Sequence, residues 1–204
     1  CTAWKRKGYT IDGAVNWVIG TKPGNSYNRF WEELGVAQNW EVYNHDLTLA
    51  VENREGQVFN LYCDADRLER YMLDIAPEDA DAIRELTGAI RRASEFSIPA
   101  EKPAELYGII DFVKSVKMIS LMGFMKKWSK VSVGDFLGRF ENPYLKEVFP
   151  LAFSADAPMV MLVMMLAWQH AKAAGYVLGG ALPLAEAVEK RYLGLGGEIH
   201  YDSR

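Results

Sequence analysis

From Met159 to Trp168 the chain reads Met-Val-Met-Leu-Val-Met-Met-Leu-Ala-Trp, ten residues without a polar side chain. A helix that crosses a bilayer needs about 20 apolar residues, so this run is too short to span one. A segment that is apolar on every face has to be enclosed by other parts of the protein. The fold must therefore surround it, and 204 residues, half of them hydrophobic, can build a core of that size. Ser154-Ala155-Asp156-Ala157-Pro158 precedes the run as a capping segment, and the pattern predicts a buried helix over residues 159–174. Methionine is flexible and polarizable, so Met161, Met164 and Met165, with Trp168, are candidates for contacting a long apolar ligand in a cavity. The same stripe also describes ordinary core.

The segments ahead of this helix alternate between strand and helix patterns. Residues 2–11 hold two short β-like runs meeting at Lys7-Gly8, a hairpin that leads into Asp12-Gly13. Ser26 is placed to cap a helix over 27–34, which Gly35 ends. Residues 41–51 and 57–63 read as a second hairpin around Asn53-Arg54-Glu55-Gly56. Beyond Cys63 the apolar period becomes helical for about a hundred residues. Asp64-Ala65-Asp66 has the look of a metal pair, but no third ligand is in view, and Asp64 is better read as the cap of a helix carrying Leu68, Tyr71 and Met72. Pro77-Glu78-Asp79 opens the next helix, which runs to about Phe96, and the prolines at 99 and 103 mark a loop. Residues 104–128, 133–140 and 143–149 follow as helices. Lys126, Lys127 and Lys130 beside Met, Phe and Trp128 predict a weak membrane-facing patch; a core helix with solvated lysines at its end is the plainer reading.

The last segment is glycine-rich at both ends. Gly175 is placed to close the methionine-rich helix, and Gly179-Gly180 permits close backbone approach. A helix starting near Pro183 buries Leu184, Val188, Tyr192 and Leu195, Gly196-Gly197 ends it, and residues 198–201 alternate like a strand.

The string from Gly175 through Gly179-Gly180-Ala181 and Ala185-Glu186-Ala187-Val188-Glu189 to Leu195-Gly196-Gly197-Glu198-Ile199 resembles the segment that re-enters the flavin domain of phytoene desaturase-like FAD-dependent oxidoreductases. That family includes carotenoid isomerases and retinol saturase-like enzymes. Gly8, Tyr9, Ile11 and Asp12 resemble the family's Gly-aromatic-apolar-Asp pattern, with Gly13 directly after the aspartate and Ala14 where a glycine is usual. Phe30-Trp31-Glu32-Glu33-Leu34-Gly35 resembles its short following helix. The resemblance implies that Gly8, Tyr9, Asp12, Gly13, Ala14, Trp17, Gly179, Gly180, Ala181 and Leu182 lie at the flavin end of FAD. It also implies that the Gly-x-Gly-x-x-Gly pyrophosphate fingerprint, which this chain lacks, precedes Cys1 in a longer protein, and that the chain resumes the flavin domain after Arg204.

A net charge of −4 gives no basic face for nucleic acid, and two cysteines give no disulfide framework. No Gly-x-Ser-x-Gly elbow, phosphate loop or His-Glu-x-x-His occurs, so hydrolase and kinase readings lack support. The three histidines are too scattered for a triad, and no metal site is expected. The absence of an acid–base set suits an enzyme whose cofactor carries the chemistry. The expectation is an α+β fold: residues 1–24 and 175–204 as partial segments of a Rossmann-type FAD-binding domain, and 25–174 as a helix-rich substrate domain with a small antiparallel sheet. The substrate would be lipophilic, of the polyene or carotenoid kind, and desaturated, saturated or isomerised. An amine oxidase-like flavoenzyme, or a non-enzymatic module holding a lipid or partner helix, is the alternative. A cytoplasmic setting with peripheral membrane contact is expected.

Overall fold

The computed structural model describes residues 3–13, 15–96, 104–106, 108 and 116–201. The fold is α+β, and every strand pairing among these residues is antiparallel. The chain divides into two compact units, Cys1–Asn44 with Lys172–Arg204, and His45–Ala171. The sequence predicts the junctions at 24/25 and 174/175. They fall instead at 44/45 and 171/172, because the helix Asn28–Glu33 and strand Val42–Tyr43 belong with the first unit.

In the first unit, β1 (Ala3–Arg6) and β2 (Tyr9–Asp12) form the expected hairpin, with Lys7 and Gly8 both at positive φ, 51° and 83°. That pair of angles matches the right-handed twist of the flanking strands. A second sheet has β7 (Ala174–Val177) at its centre, between β3 (Val18–Ile19) and β4 (Val42–Tyr43). The predicted strand over 41–51 is thus two strands: Val42 and Tyr43 pair with β7, while the remainder turns into the second unit. Helix α1 (Asn28–Glu33) has Tyr27, not Ser26, at its N-cap and no side-chain cap bond there; in the turn ahead of it the Tyr27 amide donates to Asn25 Oδ1. Val18, Val36, Val177 and Leu184 make this unit's core.

The second unit is mostly helical. The hairpin β5 (Leu47–Glu52) and β6 (Val58–Tyr62) turns at Asn53, whose Oδ1 accepts from the amides of Glu55 and Gln57, with Gly56 at φ 80°. Asp64 caps α2 (Ala65–Ile75) through Oδ1 and the amide of Arg67 at 2.8 Å, and Asp66 pairs with Arg91, so the two carboxylates do separate structural work. A short 3-10 turn, Pro77–Asp79, leads into α3 (Ala80–Ser94). The buried Asp79 carboxylate accepts from the amides of Glu141 and Asn142 at 2.5 and 3.0 Å, fixing the start of a helix more than sixty positions away. Helices α4 (Val116–Trp128), α5 (Val133–Leu137), α6 (Pro143–Ala152) and α7 (Met159–His170) complete the unit. The helix predicted over 104–128 is described as a 3-10 turn at Ala104–Leu106 and α4; the loop predicted around prolines 99 and 103 lies outside the described residues.

Helix α7 lies at the centre of this unit's core, where Met159, Leu162, Val163 and Leu166 are fully enclosed. It stops at His170, four residues short of its predicted end. Lys172, not Gly175, takes the left-handed conformation (φ 55°) that turns the chain. Gly175 is instead inside β7, where a Cβ would overlap Val42 Cγ1: the glycine allows two strands to approach, and closes no helix. In the first unit, α8 (Ala181–Gly194) begins two residues before Pro183, and residues 198–201 form no strand. The apolar residues predicted to face its core divide: Leu184 is buried, whereas Tyr192 and Leu195 are exposed.

Candidate functional site

In the first unit the hairpin delivers one carboxylate to one helix end. The register pairs Ala3 with Asp12, so Asp12 stands at the open end of the β1–β2 ribbon. Its Oδ1 accepts from the amide of Val15 at 3.2 Å and its Oδ2 from the amide of Ala181 at 2.6 Å, a bond between residues 169 positions apart. Ala181 is the first residue of α8, and the residue before it, Gly180, has no side chain with which to cap the helix. Asp12 supplies the missing cap from a distant strand. A carboxylate there meets both an orphan amide and the positive end of the helix dipole, an interaction of about 0.3–2 kcal/mol.

The same contact accounts for the double glycine. Gly180 is buried at φ 75°, and a Cβ on it would overlap Asp12 Oδ2. Gly179 is exposed at φ 95°. The turn from β7 into α8 therefore needs two successive residues in conformations that side chains resist.

The structure brings Asp12, Gly13, Gly179, Gly180, Ala181 and Leu182 together around the start of α8, with Gly13 exposed and Leu182 half-buried. Gly8 and Tyr9 are not part of that group. They sit at the hairpin's far tip, about 13 Å away along four residues of strand, and Tyr9 is 75% exposed. Trp17 is half-buried next to β3, and Ala14 lies outside the described residues.

The start of α8 is not open to an anion. The seat a phosphate uses is an open helix N-terminus, and at α8 that seat is filled by the Asp12 carboxylate, which repels a phosphate. Gly13 and Gly179 leave exposed backbone without a Cβ in the same group of residues.

A second feature of this unit has no counterpart among the sequence-based expectations. A cleft of about 570 Å³ runs along the outer side of α8, lined by Gln38, Asn39, Glu186, Lys190 and Arg191 among others. Arg191 Nε donates to the carbonyl of Glu33, tying α8 to the end of α1, and its side chain packs on Gly35. The Glu186, Lys190, Gly194 spacing on the face opposite Leu184 is the pattern that could have flagged it.

In the second unit the residues proposed to touch an apolar ligand face different ways. Met164 is buried in the core, Met165 and Trp168 pack against it half-buried, and Met161 is 54% exposed. The expectation of a wholly buried α7 fails at Met161: positions 161, 165 and 168 share one helical face, and that face is the outer one. Trp128 is 4% exposed and stacks near Phe124 and Phe136, so it cannot belong to a surface patch; Lys127 lies over its ring and pairs with Glu85 at 3.0 Å. A cleft of about 480 Å³ separates α3 from α4, with Gly88 and Gly123 on its walls and the bonds Arg92–Ser120 and Lys127–Glu85 at its rim.

Two further groups are chemically notable. Thr48 donates to Gln169 Oε1 at 2.6 Å, with the Cys63 thiol 3.9 Å from the same oxygen. Burial pushes the Cys63 thiol up, the Thr48 hydroxyl only partly offsetting it, so the sulfur is a protonated core group and not a nucleophile. His170 Nδ1 accepts from the amide of Ala65 at 3.1 Å, which makes it a second clamp on the start of α2.

Comparison with protein-family models and with curated proteins finds no match for this chain.

Proposed function

We propose that these residues are part of an FAD-dependent oxidoreductase acting on a lipophilic, polyene-like substrate, with the unit Cys1–Asn44 and Lys172–Arg204 contributing to the flavin-binding side and His45–Ala171 to the substrate side. The observation that carries the reading is the bond from the amide of Ala181 to Asp12. The resemblance rests on two motifs at opposite ends of the sequence, and Asp12 of the first caps the helix that follows Gly179-Gly180 of the second. The discontinuous first unit, interrupted by a helical unit with a separate core, supports it further.

In this reading Asp12 and Gly180 hold the α8 turn rigid, and Gly13 and Gly179 present bare backbone to the ring. FAD would supply the chemistry as a hydride acceptor, while the protein fixes orientation and excludes water. These 204 residues hold no Gly-x-Gly-x-x-Gly pyrophosphate fingerprint, so the start of α8 is proposed for the ring end alone. The test is to purify the whole protein, record the flavin absorption bands, and add a detergent-solubilised polyene hydrocarbon without oxygen. Bleaching of bound flavin is the expected result. A colourless protein that takes up no FAD overturns the reading, and if it binds lipid it favours a non-enzymatic lipid-binding module. Bleaching by amines but not polyenes assigns it to the amine-oxidising branch.

A further inference from the structure

We propose that the outward face of α4 is a docking surface for an anionic lipid bilayer. Residues 112–134 contain five lysines, at 114, 117, 126, 127 and 130, and no aspartate or glutamate, in a chain whose net charge is −4. The charge is segregated, and three of these lysines, 117, 126 and 127, fall within α4 itself. Phe124 and Trp128 turn inward, while Ile119 (61% exposed) and Met122 (52%) lie on the opposite side, with Met125 (37%) on the flank. Residues 119, 122 and 126 share that side at helical spacing, which places the Lys126 stem among the apolar side chains. Lys126 and Lys130 are exposed and make no ion pair among the described residues, in contrast to Lys127, which is held by Glu85.

Water solvates lysine well and Ile or Met poorly, so a face that mixes them with no acid is matched by a surface that is apolar in depth and negative at its rim. A bilayer containing anionic lipid is such a surface: the methionines and isoleucine enter the acyl boundary while the lysine stems reach back to the headgroups. A folded protein partner would need an acidic rim around an apolar patch, and a nucleic acid would leave Ile119 and Met122 against water or phosphate. The patch is small, so attachment is peripheral and reversible. No helix among the described residues is long and apolar enough to cross a membrane. None of the residues of the α8 turn takes part, so the surface stands or falls independently of the flavin reading.

The test is flotation of the protein with vesicles of phosphatidylcholine alone and with 30% phosphatidylglycerol, about 30% being a usual anionic fraction for reading the headgroup attraction. Binding is expected only to the anionic vesicles and should weaken as salt rises. Replacing both lysines that lack an acidic partner, Lys126→Gln with Lys130→Gln, should weaken it roughly 30-fold. The control pair Lys22→Gln with Lys146→Gln, on exposed sites elsewhere, should leave it unchanged. A Met122→Trp variant should show a blue-shifted emission, quenched by brominated acyl chains, when vesicles are added. Equal loss from both lysine pairs, an emission from the Met122→Trp variant that does not shift despite binding, or retention on heparin without vesicle binding would each overturn the proposal.

Discussion

Asp12 serves two amides, and its neighbour Gly180 has no room for any side chain, so single substitutions there should act strongly. Asp12→Ala removes a charge-assisted bond and leaves the Ala181 amide without its cap; the expected loss is about 2 kcal/mol in a urea titration. Gly180→Ala meets both the φ of 75° and the Asp12 carboxylate, and should cost at least as much. A variant at either site as stable as the parent would remove the structural basis of the α8 turn. Glu69 gives a pH-dependent counterpart in the second unit. Burial alone would raise its carboxyl, but the Thr87 hydroxyl and the Arg91 guanidinium outweigh it and hold the group below the ordinary glutamate value. A carboxylate depressed in the folded state stabilises above its unfolded value and loses that contribution as pH falls through the folded one. Glu69→Gln should therefore destabilise the protein by about 1–2 kcal/mol at neutral pH and flatten the acid limb of its stability curve below about pH 4. An unchanged acid limb contradicts this.

At the scale of elements, the sequence is most legible where a local rule and a tertiary demand agree. The Lys7-Gly8 turn, the Asn53–Gly56 turn and the Asp64 cap each follow from short-range chemistry. It is least legible where a residue type has two physical uses. Gly175 fits a helix stop as well as a close strand crossing, and only the position of Val42 decides between them. The run 41–51 reads as one strand because β-propensity does not reveal that its first part pairs with β7 and its remainder with β6. The all-apolar run of α7 does belong inside, yet a helix without a polar face gives no sign of which residue will point out. The two sides of α7 should therefore respond differently: Leu162→Ala should cost about 2–5 kcal/mol, whereas Met161→Ala should stay within about 0.5. Similar losses at the two positions would mean that α7 turns a different face to the core.

For the whole molecule, the two units have cores with no residue in common: Val18, Val36, Val177 and Leu184 in one, and the α3–α7 packing in the other. Hydrogen exchange should then report two cooperative blocks. Leu162→Ala should lower protection within 45–171 and Asp12→Ala within 15–44 and 172–201, and a loss spread evenly over both would contradict the division. The glycines and the aspartate at the start of α8 are legible in the sequence because they form recognisable strings; that Gly8 and Tyr9 stand apart follows from hairpin register, which no string records. In the proposed function the start of α8 receives the flavin end of FAD while the diphosphate is held elsewhere in the protein. That division of the cofactor is tested most directly by titrating FAD, with flavin fluorescence as the signal, and ADP in parallel, against the protein and its Gly179→Val variant. The prediction is that Gly179→Val, at the exposed turn, weakens FAD binding and leaves ADP binding unchanged, because the turn meets the ring and not the diphosphate. FAD binding indifferent to Gly179→Val, or an equal loss of FAD and ADP, would contradict it.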